Sequence, residues 1–423
     1  MKKSYRAIAV ATVLAVAGLG LSALPAEAAQ KDDNKVTIYG AFTGGSATAF
    51  QGELNSWGLK SGIHATYTGL NDFNTQITVK INSGQGPDIA IWPQPGGLKA
   101  MASKLKPLAS VLNIKPIQKT LIPGWDKLAV ANGKVYGLPI GANIKSLVWY
   151  NPAAFKAAGY TVPKTDAELT ALTNKIRTDG KYPWCASLPG WPATDWLEEY
   201  VLRYGGVTKY QQWATGAVKY NSTLVKKAAN KVASYLLTPG NIEGGGAAAV
   251  AANWNDGFQN LFNTTSHQCF MIRQGSFIQA FLPADIQAEL QANNLKHANV
   301  FSLPTPAGAT GGTLGGGDLA AALNTNKDTA KVLAFILSDK LGRSGFANSG
   351  FFYSAHKTFP SSLYPSTLQR NIGKILAASA SFGFDQSDQV PPAVNDAESA
   401  HLQSWIKGDE SLSTAMAAID AAW

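Results

Sequence analysis

The chain is poor in the residues most reactive chemistry needs. It has two cysteines, Cys185 and Cys269, four methionines and five histidines, and charged residues make up only 15% of its 423 positions. Two cysteines without paired histidines do not make a zinc site. The histidines, at positions 64, 267, 297, 356 and 401, are scattered, and no His-Glu-x-x-His helix is present. A Gly-x-Ser-x-Gly nucleophile elbow is also lacking, which leaves an α/β-hydrolase without support. Gly315-Gly316-Gly317 is followed by Asp318, not by a Lys-Ser/Thr pair, so the glycine run is a weak phosphate cradle. No cofactor is expected. Like charges form no block and accompany no RNA or DNA motif, so the net charge of +9 does not point to nucleic acid. Beyond the first 29 residues no run is long and apolar enough to span a bilayer.

The N-terminus itself reads as a secretory signal, with 1–28 removed. Lys2, Lys3 and Arg6 form a positive start, residues 7–21 an apolar stretch, and Ala26-Glu27-Ala28 a small-residue cleavage site. Without it the chain carries 33 basic and 26 acidic residues, +7. No cysteine flanks the site, so the exported protein is expected without a lipid anchor, in the periplasm or outside the cell. In an oxidising compartment the pair Cys185 and Cys269 reads as one disulfide, with two free buried thiols as the alternative. The length exceeds what one hydrophobic core usually serves, which favours two domains.

Strands are expected at 36–42, 63–68 and 88–92, with helices between them. That alternation is the α/β pattern with a largely parallel sheet, in which ligands bind beyond the carboxyl ends of strands. Asp72 and Trp92 lie at two such ends. The stretch 134–152 organises the rest: a turn at Asn132-Gly133, a short strand, a bend at Pro139-Ile140-Gly141, then an extended apolar run stopped by Asn151-Pro152. It reads as a chain leaving one lobe for another. Thr165 with Glu168 reads as a capping box. Trp191, in the turn before a helix, is a candidate to meet a ligand, whereas Trp196 continues an apolar helical face. Asp195 either accepts ligand hydroxyls or caps that helix. Residues 241–252, rich in Gly and Ala, read as a mobile connection.

Gly133-Lys134-Val135-Tyr136-Gly137-Leu138-Pro139 followed by Ser146-Leu147-Val148-Trp149-Tyr150-Asn151 resembles the hinge-crossing segment of extracellular solute-binding proteins (family 1) of sugar ABC transporters, in the form of the α-glucoside and maltose branch. Pro87-Asp88-Ile89-Ala90-Ile91-Trp92-Pro93-Gln94-Pro95 and the tail 382–395 are similar to the same family. The resemblance implies a two-lobe periplasmic-binding-protein fold with a hinge of crossing segments and a ligand cleft between lobes. Lobe I would comprise 30–142 plus 318–350, and lobe II 143–317 plus 351–423. It implies stacking by Trp92, polar contacts from Asn143 and Lys145, and Arg273, Gln274 and Phe277 at the binding face. Gly317, Asp318 and Phe352 fall on the return crossings. Family members usually place aromatics near Glu398 and Ser399; this chain does not.

The implied function is capture of an α-linked gluco-oligosaccharide or disaccharide, such as maltose, by a monomer that delivers it to membrane permease subunits. Asp72, Asp195 and Asp318 keep a second reading open, a secreted glycoside hydrolase, which needs two carboxylates across a cleft.

Overall fold

The computed structural model describes residues 34–263, 268–350, 352–379 and 381–423. The expected signal at 1–28 and His267 lie outside them. No helix among the described residues is long and apolar enough to cross a membrane.

Among the described residues the strands in chain order are β1 Lys35–Gly40, β2 His64–Gly69, β3 Ile89–Trp92, β4 Ala129–Ala131, β5 Lys134–Pro139, β6 Asn143–Ile144, β7 Leu147–Tyr150, β8 Tyr182–Trp184, β9 Cys269–Arg273, β10 Asn299–Ser302, β11 Thr313–Gly316, β12 Leu319–Ala322 and β13 Phe382–Phe384. Three sheets result. The first runs β2-β1-β3-β12-β5-β4, the second β10-β7-β9-β8, and the third β13-β11-β6. In the first, β1 pairs parallel with β2 and β3, but β12 runs antiparallel to both β3 and β5. The sheet is therefore mixed, because the chain re-enters it at β12 after forming the second sheet and two strands, β6 and β11, of the third. Strand β3 is buried along its whole length, as its unbroken apolar run requires, while β1 alternates.

Three segments cross side by side at the hinge. The Ile140 N–H donates to the Asp318 carbonyl at 2.8 Å, and the Ala142 N–H to the Tyr353 carbonyl at 2.7 Å. A Cβ added at Gly317 would stand 2.2 Å from the Gly141 carbonyl oxygen, so only glycine permits this approach. The extended run expected after the bend is broken at Lys145-Ser146 into β6, which joins the third sheet, and β7, which joins the second.

Several local expectations acquire detail. Asn151 caps the helix Pro152–Ala158 by accepting from the Ala154 N–H. Thr165 accepts from the Glu168 N–H, but the Glu168 carboxylate takes the Lys164 N–H, so the box is half formed. Residues Gly245–Ala251 form a helix, where a mobile connection was expected; four alanines and a valine sustain the turn once Ala249 is buried. Cys185, just after β8, is disulfide-bonded to Cys269 at the start of β9, with Cα atoms 5.2 Å apart.

Candidate ligand cleft

A cavity of about 390 Å³ opens where the carboxyl-end loops of the first sheet face the hinge and the second lobe. Asp72, Asn143, Lys145 and Asp318 are among its polar lining, and Trp191, Phe277 and Gly317 also border it. Asp72 occupies the N-cap position of the helix Phe73–Asn82 yet makes no capping bond, which leaves its exposed carboxylate available. Asn143 is held in β6 by accepting from the Gly316 N–H at 3.1 Å. Trp191 opens the helix Trp191–Ala214 directly after Gly190, whose φ of 69° turns the chain sharply into it. The Trp191 and Phe277 rings meet at 5.6 Å and 64°, both half-buried. An aromatic wall opposite carboxylates and amides suits a polyhydroxylated ring, which has apolar faces and a polar rim.

Behind Lys145 lies a buried ionic network built by helical spacing. Asp195, Glu199 and Arg203 recur at i, i+4 and i+8 on the helix Trp191–Ala214. The Lys145 ammonium donates to Asp195 at 2.9 Å and to Asp385, and stands 5.0 Å from the Trp191 ring centroid. Arg273 donates to Glu199 at 3.0 Å and approaches Asp195 at 3.4 Å, while Arg203 donates to Glu199 at 2.6 Å. Burial alone would lower the Lys145 pKa, but Asp195 and Asp385 raise it above its ordinary value. Against its own burial, Asp385 is held below the usual carboxylate range by Lys145. Burial instead pushes up Glu198, Asp388 and Glu398, the last to about 8. Burial raises Asp195 too, against the pull of Lys145, whereas Arg203 and Arg273 hold Glu199 below the usual carboxylate range despite its burial. Carboxylate oxygens of Asp195, Glu198 and Asp385 lie within 4.8 Å of one another, the spacing of a metal site, but the Lys145 ammonium already compensates two of them.

Asp318 differs. Burial pushes its carboxyl up to about 7, with no cation contributing. It borders the cavity just before β12, ready to bond a hydroxyl.

The structure separates the expected ligand residues into two groups. Asp72, Asn143, Lys145, Trp191, Phe277, Gly317 and Asp318 come together on one cavity. Trp92 is 1% exposed and packs edge-to-face on Phe73 at 5.6 Å; it borders not this cavity but the neighbouring space of about 640 Å³ between the helices Phe73–Asn82 and Pro95–Ala100. Asp195 neither caps its helix, whose N-cap is Gly190, nor borders the cavity; Lys145 and Arg273 claim it. Arg273 is consumed by its two carboxylates, and Gln274 is buried with its side-chain oxygen accepting from the Gly275 N–H. Phe352 packs on Phe346 at 4.8 Å beneath the hinge. Asn74, Gln94 and Asp388 border the cavity without having been singled out. Asp388 had a legible signal, the Asp385–Asp388 pair inside the tail that resembles the family.

A family model described as bacterial extracellular solute-binding protein matches residues 44–340. The chain is 33% identical over 372 residues to the osmoprotective compounds-binding protein GgtB of Synechocystis sp., covering 86% of each. It is 30% identical over 374 residues to the alpha-glucosides-binding periplasmic protein AglE of Rhizobium meliloti, covering 84% of this chain and 80% of that one. Among solved structures, the bacterial solute receptor AcbH, described as preferring b-D-galactopyranose, superposes with a TM-score of 0.77 at 19% identity, over 92% of this chain and 97% of that one.

Proposed function

The chain belongs to the bacterial extracellular solute-binding proteins, and from that premise we propose that it captures an α-linked gluco-oligosaccharide or disaccharide. Its family and these relatives are binding proteins and not enzymes, and in this reading the chain is the sugar-binding component of an ABC importer, whose ligand passes unchanged to membrane permease subunits. The observation that carries the finer reading is the single cavity where Trp191 and Phe277 oppose Asp72, Asn143 and Asp318. Aromatic faces take the apolar faces of a glucosyl ring, and the carboxylates and amide take its hydroxyls. The relative named for alpha-glucosides, similar over most of both chains, supports the α-linkage.

In this reading the protein is exported by its leader and acts as a monomer. Lobe I comprises 30–142 plus 318–350, and lobe II 143–317 plus 351–423. Arg273 and Gln274 act from behind, by fixing Asp195 and the β9 end that carries Phe277. Titration calorimetry against maltose, trehalose and a β-linked glucobiose tests the assignment. Binding of an α-linked sugar, weakened at least tenfold by Trp191→Ala, is the expected result. Binding to the β-linked sugar alone overturns it.

A further inference from the structure

The extended stretch that begins with β6 serves two separate spaces. Asn143 and Lys145 border the cavity described above, whereas Ile144 and Ser146, on the other side of the pleat, border a cavity of about 510 Å³. This rear cavity is bounded by the end of β10 with the loop after it, the start of β11, and the end of the helix Thr367–Ala378. Its floor is buried and consists of Ile144, Ser146, Leu303 and Arg203, the last only 3% exposed. Its rim is open and carries the hydroxyls of Ser302, Thr305, Thr313, Ser379 and Ser381. Among the described residues that line it, Arg203 alone is ionisable.

Arg203 is fixed in place and has donors to spare. Its carbonyl accepts from the Thr310 and Gly311 N–H groups at 2.8 and 3.2 Å, and the helix that carries it bends just beyond, at Gly206, where φ is 66°. Nε donates to Glu199 and Nη1 to Thr305 Oγ1, both at 2.6 Å. The other guanidinium N–H groups, those of Nη2 included, have no partner among the described residues. Glu199 is the carboxylate paired with Arg203, and Arg273 draws on that same carboxylate at 3.0 Å. One anionic partner is thus shared between two guanidiniums. Thr305 Oγ1, having accepted from Arg203, keeps its own proton to donate.

We infer that the rear cavity binds a small organic oxyanion, with its phosphate or carboxylate group on the free end of the Arg203 guanidinium and its carbon part against Ile144, Leu303 and Ile375. A guanidinium presents a planar fork of N–H groups that matches either group, and the Thr305 hydroxyl stands beside it to donate as well. No carboxylate in the described lining opposes an incoming anion. The volume exceeds what a bare ion fills, and the apolar floor gives the rest of the molecule a surface to pack on. The inference goes beyond the saccharide reading and does not depend on it, because of the two cavities Arg203 borders this one alone.

The test is calorimetry at constant ionic strength with glycerol 3-phosphate, lactate and glycerol as probes. The wild type is expected to bind one or both anions at least tenfold more tightly than glycerol. Glycerol 3-phosphate alone assigns a phosphate ligand, and lactate alone a carboxylate. Ser302→Glu and Ser381→Glu, both at exposed rim positions, place a negative charge at the mouth without touching the buried network. Each should weaken the anion at least tenfold and leave saccharide affinity within about twofold. Arg203→Lys, which keeps the charge beside Glu199 but loses the fork, should weaken the anion as well. Equal binding of all three probes overturns the inference, and so does no binding of either anion at millimolar concentration. An anion affinity unmoved by both glutamates and by Arg203→Lys also overturns it, since the anion would then sit on surface lysines. The anion measurements stand whether or not the wild type binds a saccharide, so the two readings fail separately.

Discussion

Lys145 is the residue on which the site's electrostatics turn. Its ammonium neutralises Asp195 and Asp385 inside the protein, where an unpaired charge is expensive. Lys145→Met should therefore cost about 3–5 kcal/mol in unfolding free energy, the typical loss when one member of a buried pair is removed. Denaturant titration measures it; a loss below about 1 kcal/mol, the scale of an exposed pair, would contradict the network. Asp318 and Glu398 make a second prediction. Their folded pKa values, about 7 and about 8, lie above the ordinary carboxylate range, so between pH 6.5 and 8 the native state binds more protons than the unfolded one. Stability must then fall as pH rises through that window. His356, pushed down to about 4 by burial, acts in the opposite direction but only below about pH 6.5, where its unfolded form gains a proton. Melting temperatures at pH 6.5 and 8 should show the decline, and Asp318→Asn with Glu398→Gln should flatten it. A melting temperature that rises across this window would contradict the assignment. At this scale the sequence was half legible. The residue types of a sugar site were recognisable, but whether Asp195 or Arg273 faces solvent depends on partners some 50 to 190 positions away, which no local pattern encodes.

Among the elements, the disulfide between β8 and β9 bears most directly on the second lobe. It closes a loop of 84 residues, which the chain-entropy model values at roughly 4 kcal/mol. Reduction followed by alkylation should lower the denaturation midpoint accordingly, and an unchanged midpoint would contradict a stabilising role. The strands of the first sheet were legible because their alternation and Gly/Pro boundaries are local. The antiparallel pairing of β12 was not, since it is set by a return crossing of more than 170 residues, and a three-residue strand such as β13 has too few positions to show a period. Trp92 shows what its local context encodes: Pro-Gln-Pro marks the strand end correctly, but the pleat of a central strand, not the turn after it, decides which space its side chain borders.

For the whole molecule, segments at Gly141, Gly317 and Tyr353 cross side by side, and the two-lobe reading predicts that the lobes turn about these crossings. The cavity draws Asp72 and Asp318 from one side and Trp191 and Phe277 from the other, so a ligand touching both stabilises the closed arrangement over an open one. In this arrangement the Gly96 N–H and the Lys99 ammonium donate to the carbonyls of Asp388 and Gln389, and an open form is predicted to lack both bonds. Small-angle scattering with and without a saturating α-linked sugar is the most direct measurement of this account. It predicts a radius of gyration that falls when the sugar is added and stays high with Trp191→Ala at the same concentration; an unchanged radius at calorimetrically proven saturation would contradict it.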